Sequence, residues 1–582
     1  MGNLTQAFFF DEPADLDYFL ATFPNTSLEF VPLNYKSFLY ASGKGLSTFN
    51  YYDFVQSEEY DRYKNLSEAR IDDLREILND FSASKDSDVH LGDYFFFHLQ
   101  IVWGMLQLKS YFLKVILDKK KYSTISFLRK SDSGELLYGF RPRFENLSLE
   151  IAKTIFTGTI TEIHKPENPV VSKGGFKSVL SKMLYRGPFW IYHSWANQKQ
   201  PLQQSSGSAE VAFLGPLYDW KGLLPEISRK AKVRFYHQEF FPNHSCHLQD
   251  ELVLHFQNNP DILKWLGADF LPLLKSQIKI MGSTLDFIIS KKKKYIGEIS
   301  RLKLILTTVT PYPLQGFFAH MAKRAGKKII YFQHGEKELV QGDPTTLSTE
   351  ALFGSAYLSW GKKVSEAYKQ FNFDTLLTVG SIRIYELFHN LGTAGIHGKS
   401  ILYATGKFLS DSHYFIGRYG SDQRLADSQL ELYKYFSTLK GEKILFRPNT
   451  TLHFDTMAAD FFALPNVVAC KKTFTEALPD AKLIILDAPA TTCVEACATN
   501  LPLFILMNRA NWSEEALKAL KKRAIVETNI ESLIEKLNRY LLEGRYEADV
   551  ENTDFLLGYG LAGIDINPKD EVLKYIDKAL KS

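Results

Sequence analysis

Lys328-Ile-Ile-Tyr-Phe332 runs without a break into Gln333-His334-Gly335-Glu336. Ahead of it lie the apolar run Leu302 to Val309 and an amphipathic stretch, Tyr312 to Ala325, whose Lys323, Arg324 and Gly326 form a helix stop signal. Strand, helix and strand in this order make a βαβ unit, and so a parallel sheet. Polar side chains then follow the strand at its carboxyl end, where open α/β sheets bind their ligands. Gly335 permits a sharp exit from the strand. His334 can exchange a proton near neutral pH or donate a hydrogen bond to a developing anion. A lone histidine is more often satisfied by a neighbouring carbonyl, and it is the strand-end setting that favours chemistry here.

The same alternation extends both ways from this unit. Upstream, Ser123 to Leu128, Phe189 to His193, Glu210 to Leu214 and Val233 to Tyr236 read as strands. Downstream, a second series begins near Lys399, with strands expected at Ser400 to Ala404, Lys443 to Arg447, Asn466 to Ala469, Leu483 to Leu486 and Leu503 to Met507. Helices such as Gln423 to Leu439 and Glu495 to Thr499 separate them. The glycine-rich segment His389 to Gly398 is the linker between the two series. The expected division is a mainly helical amino-terminal preface over 1–120, with one strand near Leu28 to Val31, then a Rossmann-like acceptor domain over 121–390. A Rossmann-like nucleotide-sugar donor domain follows over 399–565. The last segment, 566–582, is expected to be a helix packing back on the first domain through Val572, Leu573, Ile576 and Leu580. Two Rossmann-like parallel-sheet domains facing one another across a cleft describe the GT-B architecture.

Composition agrees with large folded units. Of 582 residues, 45% are hydrophobic and 23% charged, which excludes a single small binding module and a disordered chain. Lys plus Arg number 69 against 66 for Asp plus Glu, so no overall field points to nucleic acid as a partner. Four cysteines without a C-x-x-C pair suit a reducing compartment, and the amino terminus lacks the basic start of a signal peptide, so a cytoplasmic protein is expected. Cys493 and Cys497 share a helical face and read as small packed residues. The apolar stretch Leu91 to Leu117 carries too many polar residues to span a membrane and reads as a long buried helix. Its alternative reading is a helix lying on the inner face of a membrane. The run Lys291 to Lys294 reads as a solvated helix end. Asp86-Ser-Asp88 reads as a solvent loop, so metal-independent chemistry is expected and no metal site is assigned. Without a G-x-G-x-x-G after a first strand, nicotinamide and flavin enzymes are disfavoured.

After the histidine motif come Ala356-Tyr-Leu-Ser-Trp-Gly361 and Leu377-Thr-Val-Gly-Ser-Ile-Arg383. This order of motifs, over roughly residues 300 to 510, resembles the GT-B glycosyltransferases of bacterial O-antigen and capsule synthesis, including Kdo transferase-like proteins. It is similar, more distantly, to the CDP-glycerol glycerophosphotransferases. Arg447 ends one strand, and Leu486-Asp-Ala-Pro-Ala-Thr-Thr-Cys-Val-Glu-Ala496 leads from another into a helix. Free N–H groups and the dipole at that helix start suit Thr491 and Thr492 to a phosphate, with Arg447 as charge partner. N-capping alone is the plainer role for both threonines. The resemblance implies that Glu495 meets a ribose hydroxyl and that Asn500-Leu-Pro502 closes the donor site. Arg447-Pro448 stands where CMP-sugar enzymes show His-Pro, which leaves the donor base open between CMP and another nucleotide.

Glycosyl transfer needs a base for the acceptor hydroxyl and fixed positive charge for the leaving phosphate. His334, Asp219 and Glu239 are the catalytic candidates, and Arg447, Thr491, Thr492, Glu495 and Gly335 the donor-binding ones. The expected activity is sugar transfer from a nucleotide-sugar to a glycan or lipid-linked glycan acceptor, with no cofactor beyond that substrate. The competing readings are a CDP-polyol phosphotransferase, a nucleotide-sugar epimerase and a non-catalytic GT-B-like subunit that binds glycan or a partner.

Overall fold

A computed structural model describes residues 6–24, 26–54, 57–130, 137–138, 141–142, 146–164, 210–215, 219–236, 245–262, 271–310, 312–335, 350–392, 398–406, 422–448, 461–508 and 512–581. Three parallel sheets organise them. The middle sheet has the order Thr375–Thr378, Ala356–Ser359, Lys328–Phe332, Leu304–Thr307, Val211–Leu214, Val233–Tyr236. The carboxyl-terminal sheet has the order Val467–Ala469, Lys443–Arg447, Ser400–Ala404, Ala481–Leu486, Leu503–Leu506, Ile525–Glu527. Numbered within itself, the latter runs 3-2-1-4-5-6, the doubly wound order whose switch point lies between Ser400–Ala404 and Ala481–Leu486. In the middle sheet the switch point lies between Val211–Leu214 and Leu304–Thr307.

Both six-stranded sheets are covered on both faces, which is why their strands read as unbroken apolar runs. Leu304, Leu306, Ile330, Phe332, Ala356 and Leu358 point to one side of the middle sheet, while Ile305, Ile329, Tyr331 and Tyr357 point to the other. The helix Trp220–Lys230 packs Trp220, Leu223 and Ile227 on the first of these faces. The last helix, Pro568–Lys581, joins it there through Val572, Ile576 and Ala579. Fully burying a valine or isoleucine stabilises by about 1.5–3 kcal/mol, so this stripe anchors the chain end firmly. Lys230 to Asp577 at 2.6 Å and Lys569 to Glu226 at 2.7 Å pin its rim.

The amino-terminal part is mainly helical as expected, through Pro13–Thr22, Tyr35–Gly43, Ser57–Lys85 and Leu91–Lys120, but it also builds a four-stranded parallel sheet with the strands that follow, in the order Glu29–Pro32, Gln6–Phe10, Thr124–Arg129, Thr159–His164. The strand read at Ser123 to Leu128 therefore belongs to this sheet, pairing with Gln6–Phe10, and the middle unit does not begin at residue 121. Ala7 and Phe9 are buried on one side and Phe8 and Phe10 on the other, so the run shows none of the alternation that marks a half-buried strand. The expected strand Phe189 to His193 lies outside the described residues.

The helices Ser57–Lys85 and Leu91–Lys120 pack against each other, with Gly92 so close to the first helix that a Cβ there would fall on the Arg75 carbonyl. The second of these helices is buried on nearly all sides, and Tyr94 meets Phe317 and Phe353 of the middle unit. Protein covers it, so the membrane-surface alternative for this stretch does not hold. Asp86 and Asp88, expected to be solvated, form an ion network instead. Lys292 lies 2.7 Å from Asp86 and 2.6 Å from Asp88, and Arg324 lies 2.5 Å from Asp88. Lys292, within Lys291 to Lys294, is thus drawn into a pairing across the tertiary fold that local spacing does not encode. None of the described helices is long and apolar enough to cross a membrane.

Candidate functional site

The carboxyl edges of the two six-stranded sheets meet. Gly335 leaves its strand at φ +90°, a backbone region that L side chains rarely adopt, and a Cβ built there would lie 3.2 Å from Thr491 Oγ1. The histidine turn of one sheet thus faces the helix start of the other. Gln333 fixes this turn: its amide donates to the Gly335 carbonyl at 3.0 Å and accepts from the Trp360 backbone at 2.6 Å. The adjacent strand end therefore holds His334 in place through its neighbour in sequence.

Beside His334 the structure sets two acids. Asp219, at the start of the helix Trp220–Lys230, accepts from Ser381 Oγ at 3.2 Å. Burial raises its carboxyl above the ordinary range, against the opposing influence of Arg383, Ser381, Trp360 and His334. A carboxyl that keeps its proton longer is suited to donate it. Glu350, a residue the sequence reading passed over, is fully buried with Oε1 3.4 Å from His334 Nδ1. Glu239 and the segment Glu336 to Val340 lie outside the described residues.

On the facing sheet, Asp487 is fully buried at the switch point. It accepts from Tyr403 at 2.7 Å, from Gln429 at 2.8 Å and from the backbone N–H of Gly406. These bonds tie the end of Ser400–Ala404 to the turn that opens the helix Thr491–Cys497. Arg523 donates to the carbonyls of Thr499 and Leu501, at 2.8 Å for the latter, and so holds the Asn500-Leu-Pro502 turn. Arg447 ends its strand in the expected place, half-buried, with its backbone carbonyl bonded to Thr405 N at 3.2 Å. Thr491 and Thr492 are half-buried in the first turn, while Cys493 and Cys497 pack in the core behind them.

Glu495 is placed differently from a ribose-facing acid: only 5% of its side chain is exposed, and Oε1 lies 2.7 Å from Arg383 Nη1. Arg383 closes the V-G-S-x-R motif of the middle unit, so this pair crosses between the two sheets. A double-mutant cycle of Arg383→Gln and Glu495→Gln, read by chemical denaturation, should give a coupling of about 0.5–3 kcal/mol. Additive effects would make the contact incidental and return Glu495 to the ribose role.

Residues 269–540 match the family model described as LIC12162 family transferase. No curated protein matches the chain. Among solved structures, the chain is similar to the wall teichoic acid polymerase TagF at 11% identity and a TM-score of 0.36, over 64% of this chain and 90% of that one. It is similar to MurG of Acinetobacter baumannii at 12% identity and a TM-score of 0.35, over 63% and 99%. A further likeness is to a UDP-GlcNAc 2-epimerase from Neisseria meningitidis at 10% identity and a TM-score of 0.35, over 63% and 99%.

Proposed function

We propose that this protein is a metal-independent glycosyltransferase of GT-B architecture that moves a sugar from a nucleotide-activated donor to a surface-glycan or lipid-linked glycan acceptor. The observation that carries the reading is the meeting of His334-Gly335, at one carboxyl edge, with Thr491, at the other. That arrangement sets a proton-exchanging group against hydroxyl and backbone donors suited to a phosphate. The match of residues 269–540 to a transferase family supports the same class. In this reading His334 takes the proton of the acceptor hydroxyl, whose oxygen bonds to the anomeric carbon as the bond to the donor phosphate breaks. The nucleotide leaves with that electron pair, and Arg447, Thr491 and Thr492 stabilise its phosphate. Asp219 is the second acid of the site. In this reading a lipid-linked acceptor is met at the cytoplasmic side of its membrane.

A thermal-shift panel of CMP, CDP, UDP and GDP tests the reading: one base should stabilise the protein selectively, and a response to none of them would sink it. Calorimetry with the nucleotide so identified should show Arg447→Ala, or Thr491→Ala with Thr492→Ala, weakening binding by about 1–3 kcal/mol. Unchanged affinity in folded variants would move the donor site elsewhere.

A further inference from the structure

Behind His334 stands an acid with no exposure and a fixed orientation. Glu350 Oε2 accepts from Tyr357 OH at 2.9 Å and from Tyr368 OH at 3.0 Å. The two rings stack with centroids 4.1 Å apart, and both are buried, so the hydroxyls that hold the carboxylate are themselves held. The other oxygen, Oε1, is left on the side of the imidazole, 3.4 Å from Nδ1. That nitrogen is buried, whereas 20% of the His334 side chain is exposed, so the accessible edge of the ring is the one away from Glu350. A carboxylate without solvent needs donors; two tyrosine hydroxyls supply them to Oε2, while Oε1 faces the imidazole Nδ1 at 3.4 Å in a geometry that does not close a hydrogen bond here. Catalytic hydrogen bonds in ligand-free sites are often long and tighten when the substrate binds, which suits a separation of 3.4 Å.

We infer that Glu350 is the positioning residue of His334. It holds the neutral ring as the Nδ1–H tautomer, which leaves Nε2 as the basic nitrogen open to the cleft. When Nε2 accepts the proton of the acceptor hydroxyl, the same carboxylate stabilises the imidazolium that forms, and Glu350 itself stays ionised. The tyrosine pair keeps the acid from turning away. This inference rests on the reading of His334 as the base, and it adds the group that makes one nitrogen of that ring the reactive one.

The test uses the full chain labelled with 15N-histidine, with the His334 signals assigned by their loss in His334→Gln. At a pH where the ring is neutral, the wild-type spectrum should show protonated Nδ1 and unprotonated Nε2. Glu350→Leu should shift this signature toward the other tautomer, and an unchanged signature would overturn the proposal. Glu350→Gln, which keeps shape and an acceptor oxygen but not the charge, should lower turnover on the order of 10- to 10²-fold, less than the 10²- to 10⁴-fold range of a lost acid or base. Nucleotide affinity and KM should hardly move. If Glu350→Leu does not fold, Tyr357→Phe with Tyr368→Phe provides the second arm. It keeps the acid and removes both of its hydroxyl partners, so it should broaden or split the His334 signals and lower turnover; wild-type signals and turnover would overturn the proposal. Loss of the tautomer preference in a protein whose His334→Ala variant retains full turnover would leave the positioning intact and refute only the role of His334 as base.

Discussion

His334→Ala should lower turnover by about 10²- to 10⁴-fold while leaving nucleotide affinity nearly unchanged. The ring is 20% exposed at a strand end, beside Asp219 and Glu350 and facing the Thr491 helix across the cleft. A packed structural histidine would behave in the opposite way, with a lower unfolding midpoint and normal activity in the folded fraction. Steady-state rates at saturating donor, together with calorimetry of the nucleotide, separate the two. Near-normal turnover in a folded variant would shift the search for a base to Asp219 and Glu239.

A large effect on stability is expected at Gly361. This glycine closes the Tyr-Leu-Ser-Trp-Gly motif, and a Cβ there would overlap the carbonyl of Gly558. Both partners are backbone, so neither can rotate out of the way. The contact seats the helix Asp554–Tyr559 against the middle unit, where Ser381 N donates to the Gly560 carbonyl at 3.0 Å and Lys363 meets Glu515 at 2.7 Å. Gly361→Ala should therefore destabilise on the order of 3 kcal/mol, the upper part of the range for overpacking. Gly297→Ala is the control, because nothing lies within 4 Å of its Cβ position. It sits in the helix Leu271–Ile299, where alanine is favoured over glycine by roughly 0.5–1 kcal/mol. Equal unfolding midpoints for the two variants would mean that the chain can shift at Gly558 without loss.

Much of the fold was legible because its signals are local. The strand Lys328–Phe332, the helix Pro313–Arg324 and the series from Ser400–Ala404 to Leu503–Leu506 follow from short apolar runs punctuated by Gly, Lys and Arg. Gly335, Arg447, Thr491 and Thr492 could be placed in advance because the carboxyl ends of parallel strands are fixed once strand direction is known. Gln6–Phe10 escaped because burial on both faces erases alternation, so a strand at a chain start looks like any apolar run.

The sequence by itself determined that this chain builds parallel sheets and that His334 and the Thr491 helix start both stand at sheet edges. Only the tertiary structure decided what those edges meet. Glu350 is 16 positions from His334 in a stretch without periodicity, and nothing local marks it as the acid behind the ring. Glu495 reaches Arg383 from the other sheet, and Lys292 reaches Asp86 and Asp88 from a helix some 200 residues away in the chain. Charge pairing depends on distance in space, and a sequence records separation only along the chain. Hydrophobic period and turn chemistry act within a few residues, so they fix elements; the partners of a buried carboxylate are fixed by how those elements pack.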